Sequence, residues 1–232
     1  MALTASDLGI ILLSLKVAVV SVAFSLPVAT GVAYVLARYA FPGKTLLDAL
    51  VHLPLVVPPV VVGFALLILF GRKGVIGAWL ADWFGIVFAF RWTGAALAAA
   101  IMGFPLMVRA IRLSFEALDT RLETVARTLG SSPLRVFATV TLPLSLSGIV
   151  TGVVLAFARS LGEFGATITF VSNIPGETQT LPLAIYTYTQ VPGGDAQAWR
   201  LSAMAVILSI AALMAAEWIA RRKTPSTLGA AA

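Results

Sequence analysis

Residues 122–143 read LETVARTLGSSPLRVFATVTLP and form a mostly polar stretch between long apolar runs. One apolar face at helical spacing runs along its first half, made of Leu122, Val125, Ala126 and Leu129. Gly130 follows where a helix end favours a residue that adopts positive φ. Ser132 and Pro133 are then typical of an N-cap and of the first position of a helix. The stretch therefore predicts a helix, a glycine bend and a second helix.

A charged pair lies on another face of the first predicted helix. Glu123 precedes Arg127 by one helical turn, and this acid-first order favours an ion pair within the helix.

The composition indicates a helical membrane protein. Of the 232 residues, 59% are hydrophobic and 11% are charged, whereas soluble domains carry about 25% charged residues. Apolar runs of about twenty residues recur, which is the length that crosses a bilayer as a helix. There is no cysteine and a single histidine, His52, so composition offers no disulfide, no thiol chemistry and no Cys/His metal site.

We predict an all-α polytopic domain over residues 8–220, followed by a cytoplasmic tail at 221–232. The five predicted spans cover approximately residues 8–36, 46–70, 92–111, 144–165 and 201–220. The loop 116–143 lies between the third and fourth spans, and an outer segment with a short surface helix at 181–190 occupies 166–199. Residues 71–91 are predicted as an outer connection, and a re-entrant dip or further span at 75–90 stays open.

The basic residues fix the orientation of these spans. On this arrangement ten of the 16 Lys and Arg residues fall on one side, namely Arg38, Lys44, Arg109, Arg112, Arg121, Arg127, Arg135, Arg221, Arg222 and Lys223. Four fall on the other side, and Lys16 and Arg159 lie inside spans. Because basic loops stay in the cytoplasm, the loop 116–143 and the C-terminus are predicted inside and the N-terminus outside.

The loop resembles the cytoplasmic EAA loop of ABC-importer permeases. That pattern is Glu-Ala-Ala, three residues, Gly, nine residues and Ile-x-Leu-Pro. The matching positions from the glycine onward are Gly130, Val140, Leu142 and Pro143. The Glu-Ala-Ala positions are occupied by Thr124, Val125 and Ala126, with Glu123 displaced one residue upstream. Residues 157–178, FARSLGEFGATITFVSNIPGET, resemble the molybdate permease branch of the family.

This resemblance implies a type I ABC permease fold in the bacterial inner membrane. It implies a homodimer that binds two subunits of a cytoplasmic ABC ATPase and receives an oxyanion from a periplasmic binding protein. Molybdate, with tungstate accepted, is the implied cargo, and sulfate or thiosulfate is the alternative. ATP and Mg are expected in the partner, and no cofactor is expected in this chain. Gly43-Lys44-Thr45 matches the end of a P-loop, but the glycine that begins a P-loop five residues earlier is replaced by Arg38.

An amphipathic helix beside a bend suits recognition in a groove of a soluble partner. Such a partner would pass a rigid-body motion into the third and fourth spans, which flank the loop directly.

Two groups are candidates for the translocation path or its gate. The second span carries Pro54, Pro58 and Pro59, which break or bend a helix and suit either pore lining or helix shaping. Arg159 and Glu163 lie one turn apart in the fourth span and form either a salt bridge or part of the path. Lys16 is expected to direct its ammonium toward the outer interface, or to lie in the anion path.

No paired carboxylates in an aqueous pocket, no Ser/His/Asp set and no metal-ligand cluster point to an enzyme, and the positive charge follows topology rather than nucleic-acid binding. An ion-coupled secondary transporter would show inverted repeats and coupling carboxylates. We find no such repeat, and Glu163 is the only acid well inside a span. A non-transporting membrane scaffold is the third class.

Overall fold

The computed structural model describes residues 4–223, with side chains described as far as Ala215, and every regular element in that part of the chain is helical. The predicted tail after residue 223 lies outside the described residues. The helices are α1 (Ala5–Arg38), α2 (Lys44–Val56), α3 (Pro59–Phe70), α4 (Val75–Phe84), α5 (Trp92–Glu116), α6 (Thr120–Thr128), α7 (Pro133–Val136), α8 (Leu142–Leu144), α9 (Leu146–Leu161), α10 (Gly165–Val171), α11 (Leu181–Thr189) and α12 (Asp195–Lys223). A π-helical stretch, Phe137–Thr141, joins α7 to α8.

Three helices are long and apolar enough to cross a membrane by themselves: α1, α5 and the first 21 residues of α12. The helix α1 begins at a capping box, in which the Thr4 side chain accepts from the backbone N–H of Asp7 and the Asp7 side chain accepts from that of Thr4. It continues through Pro27 to Arg38. Fully buried alanines let α1 and α5 approach closely along the core, namely Ala18, Ala29 and Ala33 of α1 and Ala95, Ala98 and Ala99 of α5.

The second predicted span is broken, as its prolines indicated. The chain bends by 113° between α2 and α3. Val57 and Pro58 both precede a proline and both adopt extended conformations, with ψ of 137° and 134°. Steric conflict with the following pyrrolidine ring disfavours helical geometry at such positions, which explains why the helix stops here and restarts at Pro59.

The fourth predicted span is bent at one end and interrupted at the other. A bend of 70° at Ser145 separates α9 from the helical segment before it. At the other end α9 stops at Leu161, and α10 begins after the non-helical residues 162–164. Phe170 and Val171 of α10 are fully buried, so the predicted outer segment 166–199 begins with a core helix rather than a loop.

The two interrupted spans pack against each other. A Cβ atom on Gly63 of α3 would lie 2.4 Å from the backbone oxygen of Ala166, and one on Gly165 would lie 2.7 Å from Cβ of Pro59. Both glycines are therefore needed for the close approach of α3 and α10. The predicted helix at 181–190 is confirmed as α11, and the last helix begins at Asp195, six residues before its predicted start at 201.

The predicted outer connection 71–91 contains the ten-residue helix α4. Its aromatic residues Trp79, Trp83 and Phe84 are exposed, which suits the level of a membrane interface.

Candidate coupling loop and translocation path

The helix–glycine–helix prediction is confirmed by the backbone. Gly130 has φ of +86°. Its N–H donates to the carbonyl of Arg127 at 3.0 Å, and the N–H of Ser131 donates to the carbonyl of Ala126 at 3.1 Å. These two bonds form a Schellman motif, which ends a helix with a left-handed residue.

The second half of the loop begins as predicted but is not one regular helix. The Ser132 side chain accepts from the N–H of Arg135 at 3.4 Å, and Pro133 occupies the first turn. The chain then widens into the π-helical stretch, which contains Val140, before Leu142 and Pro143 resume α-helical geometry. Pro143 has no N–H for the carbonyl four residues earlier, which accounts for irregular helical geometry at this point.

The apolar face predicted from residues 122–129 is open. Leu122, Val125 and Leu129 are 49%, 57% and 81% exposed, and Leu134 beyond the bend is 78% exposed. Thr124 is also exposed, and Ala126 is half-buried. Flanking arginines at 121, 127 and 135 are exposed as well. A projecting apolar surface with a basic rim is suited to binding a soluble partner.

Glu123 has a different partner from the one its helical spacing suggested. The residue is buried, and its Oε1 accepts from Nη2 of Arg38 at 2.9 Å and from the hydroxyl of Thr141 at 2.9 Å. The expected pair with Arg127 is therefore replaced by a contact to the end of α1. Arg127 is on the exposed side of α6, whereas Glu123 faces the protein.

In the second candidate site, Arg159 and Glu163 form the salt bridge that was one of their two predicted roles. Nη1 of Arg159 lies 2.5 Å from Oε2 of Glu163. Glu163 is 2% exposed, and its Oε1 accepts from the N–H of Ala166 at 2.8 Å. The carboxylate therefore holds the interruption between α9 and α10 by bonding to residues on both sides of it.

The three candidate prolines separate into two neighbourhoods. Pro59 packs against Gly165 and so lies beside the interruption that Glu163 stabilises. Pro58 is exposed at the bend. Pro54 instead lines an apolar groove of about 540 Å³ that α1 and α5 share. Proximity to the charged pair thus favours Pro59 over Pro54 as a partner of Arg159 and Glu163.

Several long-range contacts had no signal in the sequence. Nζ of Lys16 lies 3.6 Å from the centroid of the Trp92 ring, a cation–π contact at the start of α5. The fully buried Asp7 pairs with Arg200 of α12 at 2.8 Å. These residues are between 76 and 193 positions apart in the chain, so no helical spacing relates them.

Ion pairs join different helices at both ends of the bundle. At one end Arg38 meets Glu123, and Arg112 of α5 pairs with Asp48 of α2 at 2.9 Å. At the other end Asp7 meets Arg200. The loop 116–143 therefore lies at the same end as Arg38 and Arg112, the end for which the positive-inside rule predicts a cytoplasmic location.

Comparison with known proteins assigns a family. The protein-family model described as "Binding-protein-dependent transport system inner membrane component" matches residues 25–225 of this chain. The molybdenum transport system permease protein of Escherichia coli strain K12 is 60% identical over 221 residues, covering 95% of this chain and 96% of that protein. The sulfate transport system permease protein CysT of the same organism is 42% identical over 158 residues, covering 68% of this chain and 57% of that protein.

A solved structure has the same architecture. A chain of the inward-facing MetNI methionine ABC transporter superposes with a TM-score of 0.73 at 16% identity, covering 96% of this chain and 100% of that chain. At this identity the likeness shows the fold, which is the predicted all-α type I ABC permease fold. A permease subunit rather than an enzyme, this chain belongs to the inner membrane components of binding-protein-dependent transport systems.

Proposed function

We propose that this chain is the permease subunit of an ATP-driven importer for molybdate that also accepts tungstate. The observation that supports molybdate as the cargo is the 60% identity to a molybdenum transport permease over 95% of the chain. The sulfate permease matches a smaller part of the chain at lower identity, so sulfate or thiosulfate is the alternative cargo.

The proposed assembly contains two copies of this chain, a dimeric cytoplasmic ABC ATPase and a periplasmic oxyanion-binding protein, in the bacterial inner membrane. The exposed apolar face of α6, with Leu129 at its tip, would enter a groove of the ATPase. ATP and Mg would be used by that partner, and this chain would bind no cofactor. Five spans are few for a complete solute pathway, so the route is proposed to lie between two copies.

Arg159 and Glu163 are the proposed charged elements near the path. Their side-chain exposures are 27% and 1%, so the arginine is accessible while the carboxylate is buried. A partly accessible cation already bound to a carboxylate attracts a dianion weakly, because its charge is largely neutralised. Weak attraction suits a path that releases its cargo.

The test is uptake of labelled molybdate into proteoliposomes that contain the assembled permease and ATPase together with the binding protein. We expect uptake only when Mg-ATP is present on the ATPase side and loaded binding protein on the other side. Unlabelled tungstate should compete with labelled molybdate. A hundredfold excess of sulfate should not, which requires molybdate to bind more tightly than sulfate by more than about 2.7 kcal/mol.

Each failure of this test has its own meaning. Equal competition by sulfate would replace molybdate with the alternative cargo. Uptake driven by an ion gradient without ATP would refute the ATP-driven mechanism, and an assembled complex without any uptake would favour a scaffold.

A further inference from the structure

Three side chains from distant parts of the chain meet at the cytoplasmic end of α1. Arg38 is the last residue of α1, Glu123 lies in α6, and Thr141 ends the π-helical stretch. One carboxylate oxygen, Oε1 of Glu123, accepts from both the guanidinium and the hydroxyl at 2.9 Å. Among residues 4–215 this is the only ion pair that joins the segment 117–144 to another part of the chain.

The three groups are sheltered from water. The side chains of Arg38 and Glu123 are 12% and 11% exposed, and Thr141 is 1% exposed. A charge pair in such a place is screened little by salt, and removing one member leaves an uncompensated buried charge. Most surface ion pairs lack this property, so the contact between α6 and α1 is a firm one.

An aromatic cluster joins the same elements beside the ion pair. The ring of Tyr34 in α1 lies edge-on to Phe137 of the π-helical stretch, with centroids 4.9 Å apart, and to Phe115 of α5 at 5.7 Å. The π-helical stretch therefore contacts α1 directly through Phe137. Its other end reaches α1 indirectly, because Thr141 donates to Glu123, which binds Arg38.

The side of α6 that faces away from Arg38 carries the open apolar face. Val125 and Leu129 are exposed, while Glu123 points back to Arg38. A partner that binds the open face and moves α6 therefore also pulls on the ion pair between Glu123 and Arg38, which joins α6 to α1. The flanking helices α5 and α9 are connected to the loop by the chain itself, whereas α1 contacts the loop through side chains, among them Arg38 and Tyr34.

We propose that Arg38 and Thr141 are positioning residues for Glu123: Arg38 fastens it, and with it α6, to α1, and Thr141 holds the same carboxylate against the π-helical stretch, so that motion of the ATPase moves α1 together with α5 and α9. This proposal rests on the proposed function, since it assumes an ATPase bound to α6. It assigns Glu123 an internal role and leaves docking to the exposed apolar face.

The test measures cargo imported per ATP hydrolysed in proteoliposomes of the full complex. Arg38→Ala and Glu123→Gln should lower this ratio by about tenfold while ATP hydrolysis stays within about twofold of wild type. The exchange variant Arg38→Glu/Glu123→Arg should restore much of the ratio, because the Thr141 hydroxyl can accept from an arginine as well as donate to a carboxylate.

Asp48→Asn is the matched control. It removes a charge that pairs with Arg112 at the same end of the bundle, at 2.9 Å and 39% exposure, without touching α6. We expect its ratio to equal that of wild type. An unchanged ratio in both Arg38→Ala and Glu123→Gln, in complexes that retain the ATPase, would overturn the proposal.

Two further measurements keep the proposal testable if those variants do not assemble or if wild type shows no ATP-driven uptake. Thr141→Val removes only one hydrogen bond and should lower the ratio by about threefold; no change in an assembled complex would contradict the proposal. A spin label on a cysteine at Leu129, in the permease without ATPase, should gain mobility in Arg38→Ala and lose it again in the exchange variant. Equal mobility in all three would refute the attachment of α6 to α1, whatever the cargo.

Discussion

The packing of α3 on α10 makes a sharp prediction at Gly63. In Gly63→Ala the added Cβ would lie 2.4 Å from the oxygen and 2.8 Å from the Cα of Ala166. Both atoms belong to the backbone, so no side chain can rotate away and the helices must separate. Overpacking of this kind costs about 1–3 kcal/mol, and for a chain of this length each kcal/mol lowers Tm by about 2–4 °C.

We therefore expect the apparent Tm to fall by about 2–12 °C. The assay is thermal unfolding in detergent at one scan rate, followed by fluorescence of the five tryptophans.

Gly31→Ala is the matched control, because a Cβ at Gly31 of α1 meets nothing within 4 Å. Alanine is also the better helix former by about 1 kcal/mol, so this variant should unfold no earlier than wild type. If Gly63→Ala and Gly31→Ala unfold together, the close packing of the two interrupted spans is refuted.

Gly130→Val should abolish coupling but not membrane insertion, because φ of +86° disfavours a β-branched residue; Gly130→Asn should retain more uptake, and normal uptake by the valine variant would contradict the role of the bend. Arg159→Ala should destabilise the protein by about 3 kcal/mol by leaving Glu163 unpaired, whereas Lys16→Ala should cost about 1 kcal/mol for its cation–π contact; equal midpoints in detergent unfolding would refute this ranking. Ser131→Cys introduces the only thiol, since the chain has no cysteine. It should react with an impermeant maleimide in inverted vesicles and not in intact cells. Labelling in intact cells would refute the predicted cytoplasmic location of the loop.

The sequence predicted this fold best where a few adjacent residues determine the backbone geometry by themselves. Gly130, Ser132 and Pro133 determine their own geometry through φ preference, side-chain capping and a fixed ring, and all three behave as predicted. The bend at Pro58 is equally local, because the clash occurs between adjacent residues.

Partners distant in the chain were not predictable in the same way. Glu123 satisfied a helical spacing rule with Arg127, but burial against Arg38, 85 positions away, decides its contact. The length of α9 also escaped prediction, because apolar composition continues through residues 162–171 while the close contact of α10 with α3 depends on tertiary packing.

The uninterrupted course of α1 gives it a mechanical property. From Asp7 to Arg38 there are 31 residue steps, roughly 46 Å at the helical rise, which is close to the full thickness of a bilayer with its headgroups. A buried ion pair holds each extremity, one to Arg200 and one to Glu123. Since a hydrogen-bonded helix hardly stretches, an axial shift at the Arg38 end of α1 reappears at the Asp7 end, so the two ends of the helix move together.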